Sequence, residues 1–394
     1  MDILSLGPTP LANALLADDD PTRDEQVYPL DLRFCPGCSL VQIEEVVPPE
    51  TLFREYVYRT STSETMVRHA ADLARRLTIE RRLGAASLVI EAASNDGYLL
   101  RAYREAGVRV LGVEPAANVA AVAQADGIPT RTTFFGSATG RSLAREGLRA
   151  DVFHAHNVLA HVPDLNGFVT GMAEVLAPTG IAVIEVPYVK DLLDGCEFDT
   201  IYHEHLSYFS LTALERCMTR HGLVVADAER VPIHGGSLRL HVAPGGTAVT
   251  SDRIAAFLAE EAGWGVAEEA PYRAFAERVG RVCEELRELL DALRSEGRRI
   301  AAYGASAKGT TLLTTCGIGR ETLDFVVDRS PVKQGMFTPG SRLPIHPPER
   351  LVDDMPDYTL LLTWNFAAEI LAQQEEYRRR GGRFIIPIPT LEVV

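Results

Sequence analysis

Leu88-Val89-Ile90-Glu91-Ala92-Ala93-Ser94-Asn95-Asp96-Gly97-Tyr98-Leu99-Leu100 is the stretch that decides the fold. An apolar run delivers an acidic residue to a tight loop of small residues, and a helical pattern begins at once. In a parallel sheet such a loop sits at the carboxyl end of a strand, where α/β folds present backbone N–H groups and polar side chains to a ligand. A second apolar run, Val110-Leu111-Gly112-Val113, ends in Glu114, 23 residues after Glu91. An acid at that place is set to accept hydrogen bonds from both ribose hydroxyls of a nucleoside. A dinucleotide would need Gly-x-Gly-x-x-Gly for close approach to its pyrophosphate, whereas only Gly97 is glycine here and Asp96 repels phosphate. The pattern predicts a nucleoside that carries no phosphate.

S-adenosylmethionine meets that description, since it joins adenosine to a sulfonium and an amino-acid tail. The residues expected to hold it are Glu91, Ala93, Asn95, Asp96 and Gly97 around the tail and Glu114 on the ribose. A third strand, Asp151 to Asn157, should end at the same crevice, so that Asn157 and His161 reach the donor or its acceptor, while His154 and His156 pack along the strand. Between Ser87 and residue 243 short β-rich runs alternate with helical stretches, which implies a parallel sheet covered on both faces. Leu223 to Val225 and Ser237 to Val242 are expected to close it as a neighbouring or antiparallel pair. Upstream, charges spaced among apolar residues predict a helix from Ser63 to Leu83, with Ser63 as its cap.

Tyr202-His203-Glu204-His205 lies in a segment unusually rich in functional side chains. In a strand, alternation would send His203 and His205 to one side and Glu204 to the other, and the residue types suit a surface loop equally well. The spacing is not that of a His-Glu-x-x-His zinc helix. His234-Gly235-Gly236-Ser237 precedes a strand and offers close backbone approach. Ile300-Ala301-Ala302-Tyr303-Gly304-Ala305-Ser306-Ala307-Lys308-Gly309 is another strand, glycine loop and helix start. It departs from the P-loop because Lys308 precedes the second glycine, yet small residues with a lysine at a helix N-terminus suit an anion such as a sugar-nucleotide diphosphate. Further short strands at Phe325 to Val327, Tyr358 to Leu362 and Phe384 to Ile386 complete a second α/β unit. Cys35-Pro36-Gly37-Cys38 has the form of half a zinc knuckle.

Across all 394 residues, 46% hydrophobic and 24% charged, the composition is that of a folded globular chain of two or three domains. The net charge of −15 argues against nucleic acid as a partner. No apolar run approaches the roughly 18 residues of a membrane span. With no basic-then-apolar leader, a cytoplasmic location is expected. Six cysteines with one close pair make no disulfide framework.

Five blocks in order resemble the S-adenosylmethionine-dependent sugar C-methyltransferases of antibiotic deoxysugar pathways: Leu6-Gly7-Pro8-Thr9-Pro10-Leu11-Ala12-Asn13, Cys35-Pro36-Gly37-Cys38, Glu91 to Gly97, Tyr202 to His205, and Tyr303 to Gly309. The resemblance runs along the whole chain. It implies an N-terminal zinc-knuckle-like lobe (1–62), a central class I methyltransferase domain with a Rossmann-like α/β sheet (63–245) and a C-terminal Rossmann-like α/β domain (246–394). It further implies methylation at C3 of a dTDP-linked 4-keto-6-deoxysugar, with His205 as base, Glu204 beside it, and Tyr202, His161 and Tyr56 orienting or stabilising the sugar. Lys308, Ser306, Tyr303 and His234 would then face the nucleotide sugar. The family's lobe carries an earlier Cys-x-x-Cys, and this chain starts just after where that pair should lie. Cys35 and Cys38 are accordingly expected to give Zn2+ only half of its ligands and to hold it poorly. The chain is expected to be a monomer or a weak homo-oligomer. Two other classes fit an α/β chain: a nicotinamide-dependent nucleotide-sugar oxidoreductase, told apart by the cofactor that raises the melting temperature, and a non-catalytic nucleotide-sugar-binding protein, in which His205 would be dispensable.

Overall fold

The computed structural model describes residues 1–18, 25–53, 59–233, 235–246 and 249–394, so that Tyr56 and His234 lie outside the described residues. The N-terminal lobe provides strands β1 (Asp2–Pro10), β2 (Val27–Phe34) and β3 (Val41–Ile43). The central stretch follows with β4 (Leu88–Ala92), β5 (Arg109–Val113), β6 (Thr130–Arg131), β7 (Ala150–His156), β8 (Leu176–Pro187), β9 (Ser207–Tyr208), β10 (Leu223–Val231) and β11 (Ser237–Pro244). The C-terminal stretch adds β12 (Ile300–Tyr303), β13 (Val326–Val327), β14 (Ile345–His346), β15 (Tyr358–Leu361), β16 (Arg383–Ile386) and β17 (Glu392–Val393).

The central sheet has the order β10-β11-β8-β7-β4-β5-β6, parallel throughout except at β11, which runs antiparallel to both β10 and β8. The strand order reverses between β4 and β7. A crevice opens there at the carboxyl ends of the strands, as parallel crossover topology requires. Every residue of β4 is buried, as expected of a strand covered on both faces. One face packs Leu73, Leu77, Leu99, Leu100 and Tyr103 against Val89, Val152 and Val183, and the other packs Phe153, Phe168, Met172 and Leu214. The helix Glu64–Glu80 forms because Met66, Ala70, Leu73, Ala74 and Leu77 fall on one face, and Ser63 caps it by accepting the N–H of Met66 at 3.4 Å.

The C-terminal sheet, ordered β14-β13-β12-β15-β16-β17, is parallel up to its antiparallel edge strand β17. The N-terminal sheet is completed by β9, which the chain contributes more than 160 residues later, where Val41 pairs with Tyr208. Leu30, Leu32 and Phe34 of the lobe share one core with Phe198, Ile201, Tyr272, Phe275, Leu312 and Ile385. Lobe and C-terminal unit are therefore packed into a common interior that includes the segment preceding His205. Among the described residues no helix is long and apolar enough to cross a membrane.

Candidate active site

The loop after β4 is bent at three alternate residues with left-handed backbone, Ala93 (φ 50°), Asn95 (φ 49°) and Gly97 (φ 76°). Two of the three are not glycine, a conformation that costs of order 1 kcal/mol or more each and collects at functional sites. Gly97 is required for space as well, since a Cβ there would sit 3.0 Å from Ile128. Gly112, opposite Glu91 in the register, leaves room for the Ser94 hydroxyl, which a Cβ would strike. Glu114, at the end of β5, accepts the N–H of Asn95 at 2.9 Å on one oxygen and that of Ala116 at 2.8 Å on the other. Burial raises its carboxyl, and those two backbone bonds oppose the rise. Outside the loop, the N–H groups of Thr60 and Ser61 reach Asn95 Oδ1 at 3.0 Å and Asp96 Oδ2 at 3.3 Å.

Four buried polar atoms around this crevice find no hydrogen-bond partner among the described residues: Glu91 Oε2, Ser94 Oγ, Asp96 Oδ1 and Asn157 Oδ1. Three are pure acceptors and the fourth is a hydroxyl. Buried acceptors left unpaired call for a ligand with hydroxyl or ammonium donors. Glu91 is wholly buried and stands near Glu114 and Asp96, so desolvation first and those two charges second push its carboxyl well above the usual range. Positive charge is what this crevice lacks. Adenosine hydroxyls, an ammonium and a sulfonium fit it, and a pyrophosphate does not.

Of the two readings, strand and loop, the structure has the loop: a turn over residues 202–204 follows the short 3-10 helix Phe198–Thr200, and the N–H of His205 bonds to Tyr202 O at 2.8 Å. The alternation that a strand would give His203 and His205 is therefore not found. His203 turns to the N-terminal lobe, 3.0 Å from Pro29 O and with its ring 5.6 Å from that of Tyr28. His205 turns inward. Its Nδ1 lies 2.9 Å from Thr200 O, and because a carbonyl only accepts, that nitrogen carries the proton. Nε2 is left facing Tyr202 Oη at 3.1 Å, with the two rings 4.2 Å apart, and His161 meets His205 edge-on at 4.8 Å. Burial lowers His161 to about 4, so it is neutral at ordinary pH. Glu204 is not bonded to His205. Instead it accepts a 2.5 Å hydrogen bond from Asn13 Nδ2 of the N-terminal lobe, and burial raises its carboxyl against that bond. The N–H of Leu206 bonds to Ala160 O at 2.6 Å, which ties the His205 turn to the stretch that follows Asn157.

Ser306 caps the C-terminal unit's glycine-loop helix, Ala307–Thr315, by accepting the N–H of Gly309 at 3.1 Å. Thr310 and Thr311 of this helix bond to Ala12 O and Ile201 O, at 3.0 and 3.3 Å, so it packs on both site segments. Tyr303 ends β12 with its hydroxyl buried and unpartnered. Lys308, at the start of the Ala307–Thr315 helix, has its Nζ 4.0 Å from Glu197 and 4.4 Å above the Trp364 ring, drawn there by carboxylate charge and the aromatic face. Trp364 Nε1 in turn donates to Asp199 at 2.6 Å. Burial raises Glu197 to about 8 and Asp199 to about 6, with Lys308 opposing both.

Cys35 and Cys38 sit on a knuckle-like turn closed by Cys38 N and Ser39 N, which bond to Cys35 O at 3.3 and 2.8 Å. Two sulfurs make half of a tetrahedral shell. Among the described residues no group of three or more His, Cys, Asp or Glu side chains is placed to hold a metal.

Asn13, Ser94, Thr60 and Ser61 were not singled out from the sequence. Asn13 stands in one of the recurrent blocks, but its partner is 191 residues away.

A model described as "Methyltransferase domain" matches residues 65–228, one described as "C-methyltransferase C-terminal domain" matches 232–389, and one described as "Putative zinc binding domain" matches 1–53. The C-methyltransferase NovU of Streptomyces niveus is 41% identical over 397 residues, which cover 100% of this chain and 94% of that protein. Among solved structures, the magnesium protoporphyrin IX methyltransferase of Synechocystis PCC 6803 with bound SAM aligns at 14% identity and TM-score 0.35, over 45% of this chain and 79% of that one. The 1,6-didemethyltoxoflavin-N1-methyltransferase of Burkholderia thailandensis aligns at 19% identity and TM-score 0.34, over 47% and 80%. With a class I strand order, a crevice suited to a cationic nucleoside and full-length identity to NovU, the chain belongs to the S-adenosylmethionine-dependent C-methyltransferases.

Proposed function

We propose that this C-methyltransferase acts on C3 of a dTDP-linked 4-keto-6-deoxysugar in the making of a branched deoxysugar, with His205 as the base. The observation that carries the reading is the adjacency of two sites: a crevice of unpaired acceptors, and a His205–Tyr202–His161 cluster joined to it through the Leu206–Ala160 bond. The whole reaction is cytoplasmic in this reading.

A C–H bond beside a carbonyl is acidic because the carbonyl oxygen takes the charge of the enolate. His205 Nε2, unprotonated in the tautomer set by Thr200 O, removes the C3 proton. Tyr202 Oη, next to that nitrogen, and His161 are the groups that steady the charge developing on the C4 oxygen, together with Tyr56 of the undescribed stretch. Glu204, held by Asn13, binds the sugar from the lobe side. Glu114, Glu91, Asp96 and Asn157 hold S-adenosylmethionine, which supplies an electrophilic methyl group when bound. Ser306, Tyr303, Lys308 and His234 face the nucleotide sugar, Lys308 from its place beside Glu197.

The test is incubation with methyl-labelled donor and a panel of dTDP-4-keto sugars, read by mass spectrometry and NMR. The reading expects label on C3 of at least one 4-keto sugar and on none of the reduced 4-hydroxy counterparts. Label on oxygen or nitrogen, or equal labelling of 4-hydroxy sugars, would overturn it.

A further inference from the structure

Below the floor of the donor crevice the sheet carries a second polar assembly, which the chemistry above does not use. Strand register places Glu91 opposite His154, His156 opposite Glu185, Glu185 opposite Arg239 and Arg239 opposite Glu229, so these side chains form one stripe across the face that the helix Glu64–Glu80 covers. Tyr103 Oη is 2.9 Å from His154 Nε2, His154 Nδ1 is 2.8 Å from His156 Nε2, and His156 Nδ1 is 3.2 Å from Glu185. Arg239 Nε donates to Glu185 at 2.5 Å and Arg239 Nη1 donates to Glu229 at 2.9 Å. His69 Nε2 lies 3.1 Å from both Glu185 oxygens and 2.8 Å from Arg239 Nη2, and Arg76 donates to Glu229 at 2.7 Å.

The direction of this chain is set by chemistry. Burial by itself would raise Glu185, but His156, His69 and Arg239 outweigh it and hold the carboxyl well below its ordinary range. A carboxylate only accepts, so His156 Nδ1 carries a proton. Burial keeps His154 neutral, and one consistent set of bonds results: Tyr103 O–H to His154, His154 Nδ1–H to His156, His156 Nδ1–H to Glu185. Glu185 is the acceptor on which the run ends.

We propose that Glu185 is a positioning residue for methyl-donor binding, acting through Asn157 and through the turn that precedes the Glu64–Glu80 helix. Its main-chain oxygen takes the N–H of Asn157 at 2.8 Å, while its carboxylate holds the side chain of the adjacent His156. Asn157 is thereby kept left-handed, at φ 55°, with its unpartnered Oδ1 in the crevice. Through His69 directly, and through Arg239, Glu229 and Arg76, the same carboxylate fastens two turns of the helix to the sheet. The helix start follows Thr60 and Ser61, whose N–H groups hold Asn95 and Asp96. Loss of the hub should loosen acceptors on both sides of the donor without touching the sugar. The inference rests on the donor lying in this crevice.

Glu185→Gln keeps the shape and removes the charge. The expected result is S-adenosylmethionine affinity and donor KM worse by about tenfold, with sugar KM and kcat at saturating donor within about twofold. Combining it with Asn157→Ala should weaken donor binding no further than about the worse single variant, because groups acting through one another do not add. Should Glu185→Gln fail to fold, His69→Leu, which cuts only the helix arm at a 17% exposed side chain, carries the test with a smaller loss of donor affinity and the same unchanged sugar KM. Glu114→Ala serves as the control for the crevice itself. If Glu114→Ala weakens the donor while Glu185→Gln, or His69→Leu in its place, leaves donor affinity at the parent value and only lowers the melting temperature, Glu185 is structural and the proposal fails. If Glu114→Ala leaves the donor untouched, the crevice assignment itself is wrong.

Discussion

Glu114 receives a backbone N–H on each oxygen before any ligand arrives, which fixes its carboxylate and leaves outer lone pairs for two hydroxyls. Charge-assisted hydrogen bonds of that kind contribute roughly 1.5 to 3 kcal/mol each. Glu114→Ala should therefore weaken S-adenosylmethionine by about tenfold or more in calorimetry, and unchanged affinity would remove the assignment. Glu91 makes a second expectation. Burial first, and two neighbouring acids second, raise its carboxyl, and a cation placed beside it favours the ionised form. Donor binding should then release a proton and tighten as pH rises, until Glu91 is ionised without the ligand. Calorimetry in buffers of different ionisation heat measures that release, and identical heats would count against it. The ends of β4 and β5, where Glu91 and Glu114 stand, were legible because strand ends and their spacing are local features. Asn13 was not, since nothing near it in the chain announces a carboxyl 191 residues on.

The elements follow the same division between local and distant causes. The helix Glu64–Glu80 could be read from its apolar spacing and from Ser63, whose hydroxyl accepts Met66 N–H. Ser63→Ala should cost about 1 kcal/mol in urea unfolding, and an unshifted midpoint would show the cap to be idle. The antiparallel pair β10 and β11 was legible as two apolar runs near the end of the central unit. Residues 201–206 left strand and loop both open, because polar side chains in a row suit a turn when they find partners in three different directions, as His203, Glu204 and His205 do. Strands β14 and β17, two residues long, carry too little pattern to be seen. β9 is hidden for another reason: it owes its existence to Val41 on a distant hairpin.

At the scale of the whole molecule, the chain reads as lobe, central unit and C-terminal unit, yet the lobe and the C-terminal unit share one apolar interior with the segment that leads to the His205 turn. Glu197 and Asp199 lie on that segment, and burial raises them to about 8 and about 6. Both carboxyls are ionised in the unfolded chain at lower pH than in the folded one, so folding takes up protons in the window between. Their stabilising contribution is complete below about pH 4 and is lost as pH rises, through 6 for Asp199 and through 8 for Glu197. Melting temperature should accordingly fall between pH 5 and pH 8, and Glu197→Gln should flatten that fall; parallel profiles for variant and parent would contradict the account. If, as proposed, C3 loses its proton before a methyl group moves, that first half of the reaction runs without the donor. The most direct measurement is NMR of a dTDP-4-keto-6-deoxysugar incubated with the enzyme in deuterated water without S-adenosylmethionine. Deuterium should enter C3 at a catalysed rate, and His205→Ala should slow this entry by about a hundredfold or more, the scale of a lost general base. Retention of the C3 proton by the parent enzyme, or undiminished exchange in His205→Ala, would contradict the proposal.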